Sequence, residues 1–337
     1  MGKRKLTRQQ QTRVKHQQQE KKQDAEASHP DEESKGTGHA APGIVICNYG
    51  RQLDVESLAP GQEGRILRCH QRANLPDVVT GDRVVWEPDG ENTGVVVAVE
   101  DRQSVLVRPN KSGDLKPVAA NIDLVCIVVA LLPKPFMNMI DRYLAAVETL
   151  DLNPLLILNK TDLINHDNRG DIDNMLSTYE QIGYSVARVS ATAHTGMDRL
   201  NALLKGKVAV FVGQSGVGKS SLINALAPHD PAVVGAMSMS RDKGTHTTTA
   251  SRLHHLDFCD LIDSPGIREF GLWHIDSQHL LHGFIEFRPY TGACRFRDCM
   301  HHGTPGCALE AAAAAGEIDP RRLQSYLHIL ETLGSKH

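Results

Sequence analysis

Between residue 43 and about residue 109, short runs rich in β-branched residues alternate with Gly and Asp turn signals. The runs are Ile44–Cys47, Arg65–Cys69, Arg83–Trp86, Gly94–Val99 and Val105–Val107, and the breaks include Gly61, Gly64, Gly81-Asp82 and Asp89-Gly90. Five short strands in so little chain predict a small closed β-barrel. From about residue 120 the pattern changes. Ile122–Ala130 is apolar without interruption, as a strand buried on both faces must be, and Leu155–Leu158, Val186–Val189, Val208–Val212 and Phe258–Ile262 repeat it. Helical stretches such as Met139–Leu150 and Lys219–Leu226 fall between them, so the pattern predicts a mostly parallel sheet with crossover helices. Beyond about 280 the chain ends in helices. Asp319 is placed to cap the last one and Pro320 to begin it. Leu323, Tyr326, Leu327 and Leu330 follow i, i+3, i+4, i+7 and define its buried face.

The expected organisation is therefore multidomain. An OB-fold is the natural candidate for the barrel at 43–110, with an SH3-like barrel giving a similar pattern. An α/β domain at 111–280 follows, then a helical, cysteine-bearing domain at 281–337. Residues 1–42 are expected to be a disordered tail, because they hold almost no large apolar groups to offset ordering entropy. Its charge is segregated. Residues 1–22 carry eight basic groups and one acid, and Asp24–Glu33 is acidic. Such a basic arm can meet nucleic-acid phosphates.

Over all 337 residues the formal charge is −3, which excludes a uniformly basic nucleic-acid coat. No apolar run reaches the roughly 20 residues of a membrane-spanning helix, and no apolar signal core precedes the barrel. Seven cysteines in a chain of this length argue against a disulfide framework. A cytoplasmic, monomeric protein without a membrane partner is expected. Cys126 and Cys259 sit in apolar strands and read as core; Cys47 and Cys69 lie in barrel strands.

The candidate chemistry begins at Gly213-Gln214-Ser215-Gly216-Val217-Gly218-Lys219-Ser220, followed by Ser221. It matches G-x-x-x-x-G-K-[ST] between an apolar strand and a helix. The glycines let backbone N–H groups close on phosphates, Lys219 can neutralise the β- and γ-phosphates, and Ser220 offers an oxygen to Mg²⁺. Asp263-Ser264-Pro265-Gly266 ends another strand; Asp263 can hold the magnesium, and the Gly266 N–H can sense a γ-phosphate. Between these lies Lys243-Gly244-Thr245-His246-Thr247-Thr248-Thr249, where Thr247 or Thr248 can add a hydroxyl to the metal. Asn159-Lys160-Thr161-Asp162 follows a strand. The Asp162 carboxylate can accept from guanine N1–H and N2, a donor pair adenine lacks, so ATP should be rejected. Asn159 can contact the base edge and its neighbouring loop, the Lys160 stem can cover the ring, and Ser190-Ala191-Thr192 can supply an N–H to guanine O6.

A Gln that orients the hydrolytic water often follows D-x-x-G, but here the residue is Ile267. Slow unassisted hydrolysis is expected, with His246 the best candidate to orient water and a switch or RNA contact its alternative role. Near the C-terminus, Cys294-x₄-Cys299-x-His301-x₅-Cys307 offers soft donors at the spacing of a closed structural Zn²⁺ site, with His302 competing for the fourth place. Arg288, Arg295, Arg297 and Arg321 accompany it and can meet RNA phosphates.

The motifs run in the order N-K-T-D, S-A-T, phosphate loop, T-H-T-T-T, D-S-P-G, whereas ordinary small GTPases begin with the phosphate loop. With the barrel before them and the Cys/His cluster after, residues 43–335 resemble the ribosome small-subunit-dependent GTPase A family (RsgA/YjeQ), which is circularly permuted. The resemblance implies hydrolysis of GTP to GDP and phosphate with Mg²⁺, stimulated by the small ribosomal subunit and its rRNA during late maturation. It also favours His301 as the fourth zinc ligand and implicates a histidine in the His246 loop. The alternatives are a GTP-dependent metal-delivery protein and a nucleotide-gated RNA-binding module.

Overall fold

The structure is a computed structural model that describes residues 40–109, 114–227, 251–263 and 277–334. Five strands form the barrel: β1 (Ala41–Asn48), β2 (Gln52–Ser57), β3 (Ile66–Gln71), β4 (Arg83–Pro88) and β5 (Thr93–Val99). Their order is β1-β2-β3-β5-β4, and β4 returns to pair with β1, which closes the OB-like barrel. Val45, Leu53, Val55, Leu67, Val84, Trp86 and Val96 fill it.

The expected five strands were not the observed five. Gln52–Ser57 is a barrel strand that the pattern missed, because Asp54 and Glu56 interrupt its apolar content. Asp54 is nevertheless buried, held by Arg68 Nε at 2.7 Å and the Tyr49 hydroxyl at 3.0 Å. Val105–Val107 in turn lies outside the barrel. It belongs to β6 (Val105–Pro109), which pairs antiparallel with β7 (Leu115–Ala120) in a separate two-stranded sheet.

The second sheet contains β8 (Leu124–Ala130), β9 (Pro154–Asn159), β10 (Ser185–Arg188), β11 (Val208–Val212), β12 (Arg252–His255) and β13 (Asp260–Asp263). Their order is β10-β9-β8-β11-β13-β12, parallel throughout except that β12 runs antiparallel to β13. The uninterrupted apolar run of β8 follows from its central place. Val125, Ile127 and Val129 face one core, which α1 (Met137–Glu148) and α2 (His166–Ile182) cover. Cys126, Val128 and Ala130 face the other, beneath α3 (Met197–Leu204) and α4 (Lys219–Leu226).

β12 also pairs with β1 at Arg252 and Cys47, so barrel and parallel sheet form one continuous hydrogen-bonded sheet. Two side chains reinforce this junction. The Thr80 hydroxyl donates to Ser251 O at 2.9 Å, and the His255 ring spans Asp260 and the barrel's Glu56.

The C-terminal segment comprises α5 (Ser277–His282), a 3₁₀ turn (Ile285–Tyr290), α6 (Ala308–Ala314) and α7 (Pro320–Gly334). Asp319 accepts from the Arg321 N–H at 2.8 Å, the expected cap. The buried face of α7 is rotated from the expected stripe. Leu323 and Tyr326 are buried and Leu327 and Leu330 half-buried, but Arg322, Ser325 and Ile329 are buried as well. Phe284, Phe287 and Tyr326 pack with ring centroids 5.0–5.5 Å apart and anchor this core.

Candidate nucleotide and metal sites

At the end of β11 the chain must turn sharply beside β8. Gly213 does so at φ 136°, and a Cβ there would strike the Val128 carbonyl oxygen. Gly216 and Gly218 are left-handed at φ 83° and 93°, and Gly218 precedes the first residue of α4. The first turn of α4 leaves N–H groups without intrahelical partners, the usual anchor for phosphate oxygens. The Lys219 ammonium donates to Gly213 O and Gln214 O, both at 2.6 Å, so it is folded onto its own loop. Val217 is buried and pins the loop to the core; Gln214, Ser215 and Ser221 are exposed, and Ser220 is half-buried.

Asn159, at the end of β9, joins the two halves of the site. Its buried amide donates to Val217 O at 3.0 Å and accepts from the Ala191 N–H at 3.2 Å. One side chain thereby fastens the phosphate loop to the S-A-T turn, in keeping with the contact to a neighbouring loop expected of it. Lys160 is left-handed at φ 62°, and its ammonium bridges Gly216 O and Leu132 O at 2.7 Å each. Asp162 lies exposed in a 3₁₀ turn, Thr161–Leu163. The buried Ser190 hydroxyl donates to its Oδ1 and accepts from the Ala193 N–H at 3.0 Å, which orients the carboxylate. Asp263 ends β13, one residue beyond Ile262, the register partner of Val210. It is thereby placed beside the strand that feeds the phosphate loop. His246, Thr247, Thr248, Gly266 and Ile267 lie outside the described residues.

Sequence reasoning did not single out the Leu132 carbonyl or the turn that closes S-A-T. In that turn the Ser190 N–H donates to Thr195 O at 3.0 Å, and Gly196 adopts φ 71° against Arg188 O. The available signals were Leu132-Pro133 at the end of an apolar strand and Thr195-Gly196 just after the motif.

Cys294, Cys299, His301 and Cys307 bring one donor atom each to within 4.8 Å of one another. His301 Nδ1 lies 3.6 Å from Cys294 Sγ and 3.5 Å from Cys307 Sγ. Tetrahedral zinc with ordinary Zn–S and Zn–N bonds requires a separation of about 3.5 Å, so the donor set fits that ion. His301 is the fourth member of the cluster, His302 is not, and the ring presents Nδ1. The left-handed backbone of His301, φ 57°, accompanies its N–H donation to Cys299 Sγ at 3.4 Å, and the Ala308 N–H donates to Cys294 Sγ at 3.3 Å. Burial pushes the Cys307 thiol up to about 11. A cation is what would restore its thiolate.

Residues 99–273 match the family described as RsgA GTPase. The chain belongs to the RsgA GTPase family. Small ribosomal subunit biogenesis GTPase RsgA of Marinobacter nauticus is 50% identical over 340 residues, which cover 99% of this chain and 97% of that protein. The protein of the same name from Pseudomonas putida is 52% identical over 292 residues, 86% of this chain and 85% of its own length. Among solved structures, YjeQ from Thermotoga maritima superposes with a TM-score of 0.72 at 30% identity, covering 87% of this chain and 98% of that one. YloQ, described as a circularly permuted GTPase, gives 0.72 at 26% identity, covering 92% and 99%. The permuted motif order of this RsgA-family chain therefore belongs to a fold already seen in its structural relatives.

Proposed function

We propose that this RsgA-family GTPase hydrolyses GTP to GDP and phosphate under stimulation by the small ribosomal subunit, in whose late maturation it acts. The observation that carries the reading is the Asn159 side chain. It joins the phosphate loop at Val217 to Ala191, beside the Asp162 carboxylate that would read guanine. Two motif groups in inverted chain order thus meet as one nucleotide site.

In this reading the N–H groups of Gly213–Ser221 and the Lys219 ammonium hold the phosphates, and Ser220 and Asp263 hold Mg²⁺ together with Thr247 or Thr248. His246 orients the water that Ile267 cannot. Cys294, Cys299, His301 and Cys307 hold one structural zinc ion. The working domain limits are a tail at 1–42, the barrel at 43–110, the nucleotide domain at 111–280 and the zinc domain at 281–337, in a cytoplasmic monomer. Ribosomal RNA would meet the barrel, where the Arg68 guanidinium lies 4.9 Å from the ring of half-exposed Tyr49, together with the arginines of the zinc domain.

The direct test is GTP turnover without subunits, with purified small subunits, and with large subunits as control. Stimulation by small subunits alone is the expected result. Equal turnover in all three conditions, with zinc and nucleotide bound, would refute the ribosomal role.

A further inference from the structure

Among the described residues Arg322 is the only buried arginine, its side chain 1% exposed. It lies on α7 and joins a carboxylate of the nucleotide domain to one of its own domain. Nη1 donates to Asp141 of α1 at 2.5 Å, and Nε and Nη2 donate to the two oxygens of Glu286 at 2.7 and 3.1 Å. The guanidinium also stacks 4.4 Å above the Phe284 ring. Asp141 receives a further bond, from the Tyr179 hydroxyl of α2 at 2.7 Å. Apolar replacements of such buried groups are often neutral or stabilising, so a triad of this kind is better suited to fixing register than to supplying stability.

The two ends of this network reach the two candidate sites. On the nucleotide side, α2 follows the N-K-T-D turn, and α1 begins just after the loop whose Leu132 carbonyl accepts from Lys160. The first turn of α1 is tied to α7 again, where Asn138 Nδ2 donates to Ser325 O at 3.3 Å. On the metal side, Tyr326 stands one helical turn after Arg322. Its ring packs edge-on to the ring of His301, with centroids 6.1 Å apart.

We propose that Arg322 is a positioning residue that couples the guanine site to the Cys₃His centre, so that a nucleotide on one strengthens the hold of the other on its zinc. The coupling rests on the nucleotide and zinc assignments made above. A guanine nucleotide fixes Lys160 against Leu132 and Gly216. That contact holds the start of α1, and Asp141 on α1 then holds α7 with Tyr326 against His301. Coupling of this kind is reciprocal between two bound ligands.

The test is the rate at which the full-length, zinc-loaded protein surrenders zinc to pyridylazoresorcinol, with and without saturating Mg²⁺–GDP. GDP binding is measured in the same samples. For the parent chain GDP should slow zinc transfer by at least about fivefold, the lower end of ordinary coupling. In Arg322→Met with Asp141→Leu the ratio should fall to about one, while GDP still binds, weakened by no more than the lost coupling factor of about fivefold, because the coupling is reciprocal. Arg322→Lys, which keeps the charge without the two-sided fork, is the second variant and should lose most of the ratio. An unchanged ratio in either folded variant overturns the proposal. So does a parent that binds GDP yet releases zinc at the same rate. A parent that binds no GDP fails the nucleotide reading itself, and a distinct observation thereby marks each failure.

Discussion

Gly213 leaves β11 at φ 136°, and the position its Cβ would take is occupied by the Val128 carbonyl oxygen. An alanine there must move the phosphate loop or the central strand β8. Backbone strain of this kind costs about 1–3 kcal/mol, so Gly213→Ala should lower stability in denaturant unfolding by that amount and weaken GDP binding in parallel titrations. Parent-like values in both assays would show that the loop has room to relax. Ser190 carries a subtler burden. Its hydroxyl is shared between Asp162 Oδ1 and the Ala193 N–H, so it aims the carboxylate proposed to read guanine. Ser190→Ala removes one charge-assisted bond, worth about 1.5 kcal/mol or roughly tenfold in affinity. The preference for GTP over ATP in competition binding should narrow by about that factor. An unchanged ratio would mean that Asp162 is oriented from elsewhere.

At the scale of elements, β12 links the barrel to the nucleotide sheet, and His255 fastens the link. Its Nδ1 lies 2.6 Å from Asp260 of β13 and its Nε2 lies 3.1 Å from Glu56 of β2. Both ring nitrogens donate only when the imidazole is protonated. Hydrogen bonding to Asp260, which outweighs the opposing effect of burial, raises its pKa above the ordinary histidine value. A raised folded pKa stabilises the fold fully below the unfolded value of about 6.5, and that contribution is lost as pH climbs through the folded value. Urea unfolding between about pH 5.5 and 8.5 should therefore show a decline toward the alkaline end that His255→Gln removes. Parallel curves for the two proteins would exclude the clamp. The ring is close to half exposed, so solvent limits the size of the effect.

The same element scale explains how much was legible. The Gly213–Ser220, Asn159–Asp162 and Cys294–Cys307 groups are short strings whose spacing carries their chemistry, and they stood out without any structure. β2 did not, because a period-two reading discounts a strand that carries Asp54 and Glu56, yet the partners of Asp54 are Tyr49, just after β1, and Arg68 of β3. The face of α7 was misjudged for a related reason. Periodicity places charge outside, whereas Arg322 is buried because its carboxylates arrive from Asp141, far away in the chain, and from Glu286. For Asn159 a contact with a neighbouring loop was expected, but its particular partners, Val217 and Ala191, were hidden for the same reason: long-range partners leave no local signature.

At the scale of the whole molecule, charge separates the chain into unlike parts. Residues 1–22 carry +7 and the complete chain −3, so everything after residue 22 carries −10. A body of that sign is repelled by an RNA surface, and the basic groups concentrated on the arm are what can reverse this at long range. All the nucleotide and zinc motifs lie at residue 159 or later, so removing residues 1–39 leaves them untouched in sequence. The truncated protein should keep its unassisted GTP turnover and zinc content but bind small subunits more weakly, with a flatter salt dependence. Each lost phosphate contact lowers the slope of log K against log salt by about 0.9. If half of the eight basic residues touch phosphates, the slope should fall by ~3 to 4, a change that titrations across a few salt concentrations resolve. A truncated chain with the slope of the parent would place the arm away from RNA and leave the barrel and the zinc-domain arginines to supply the phosphate contacts against the charge of their own body.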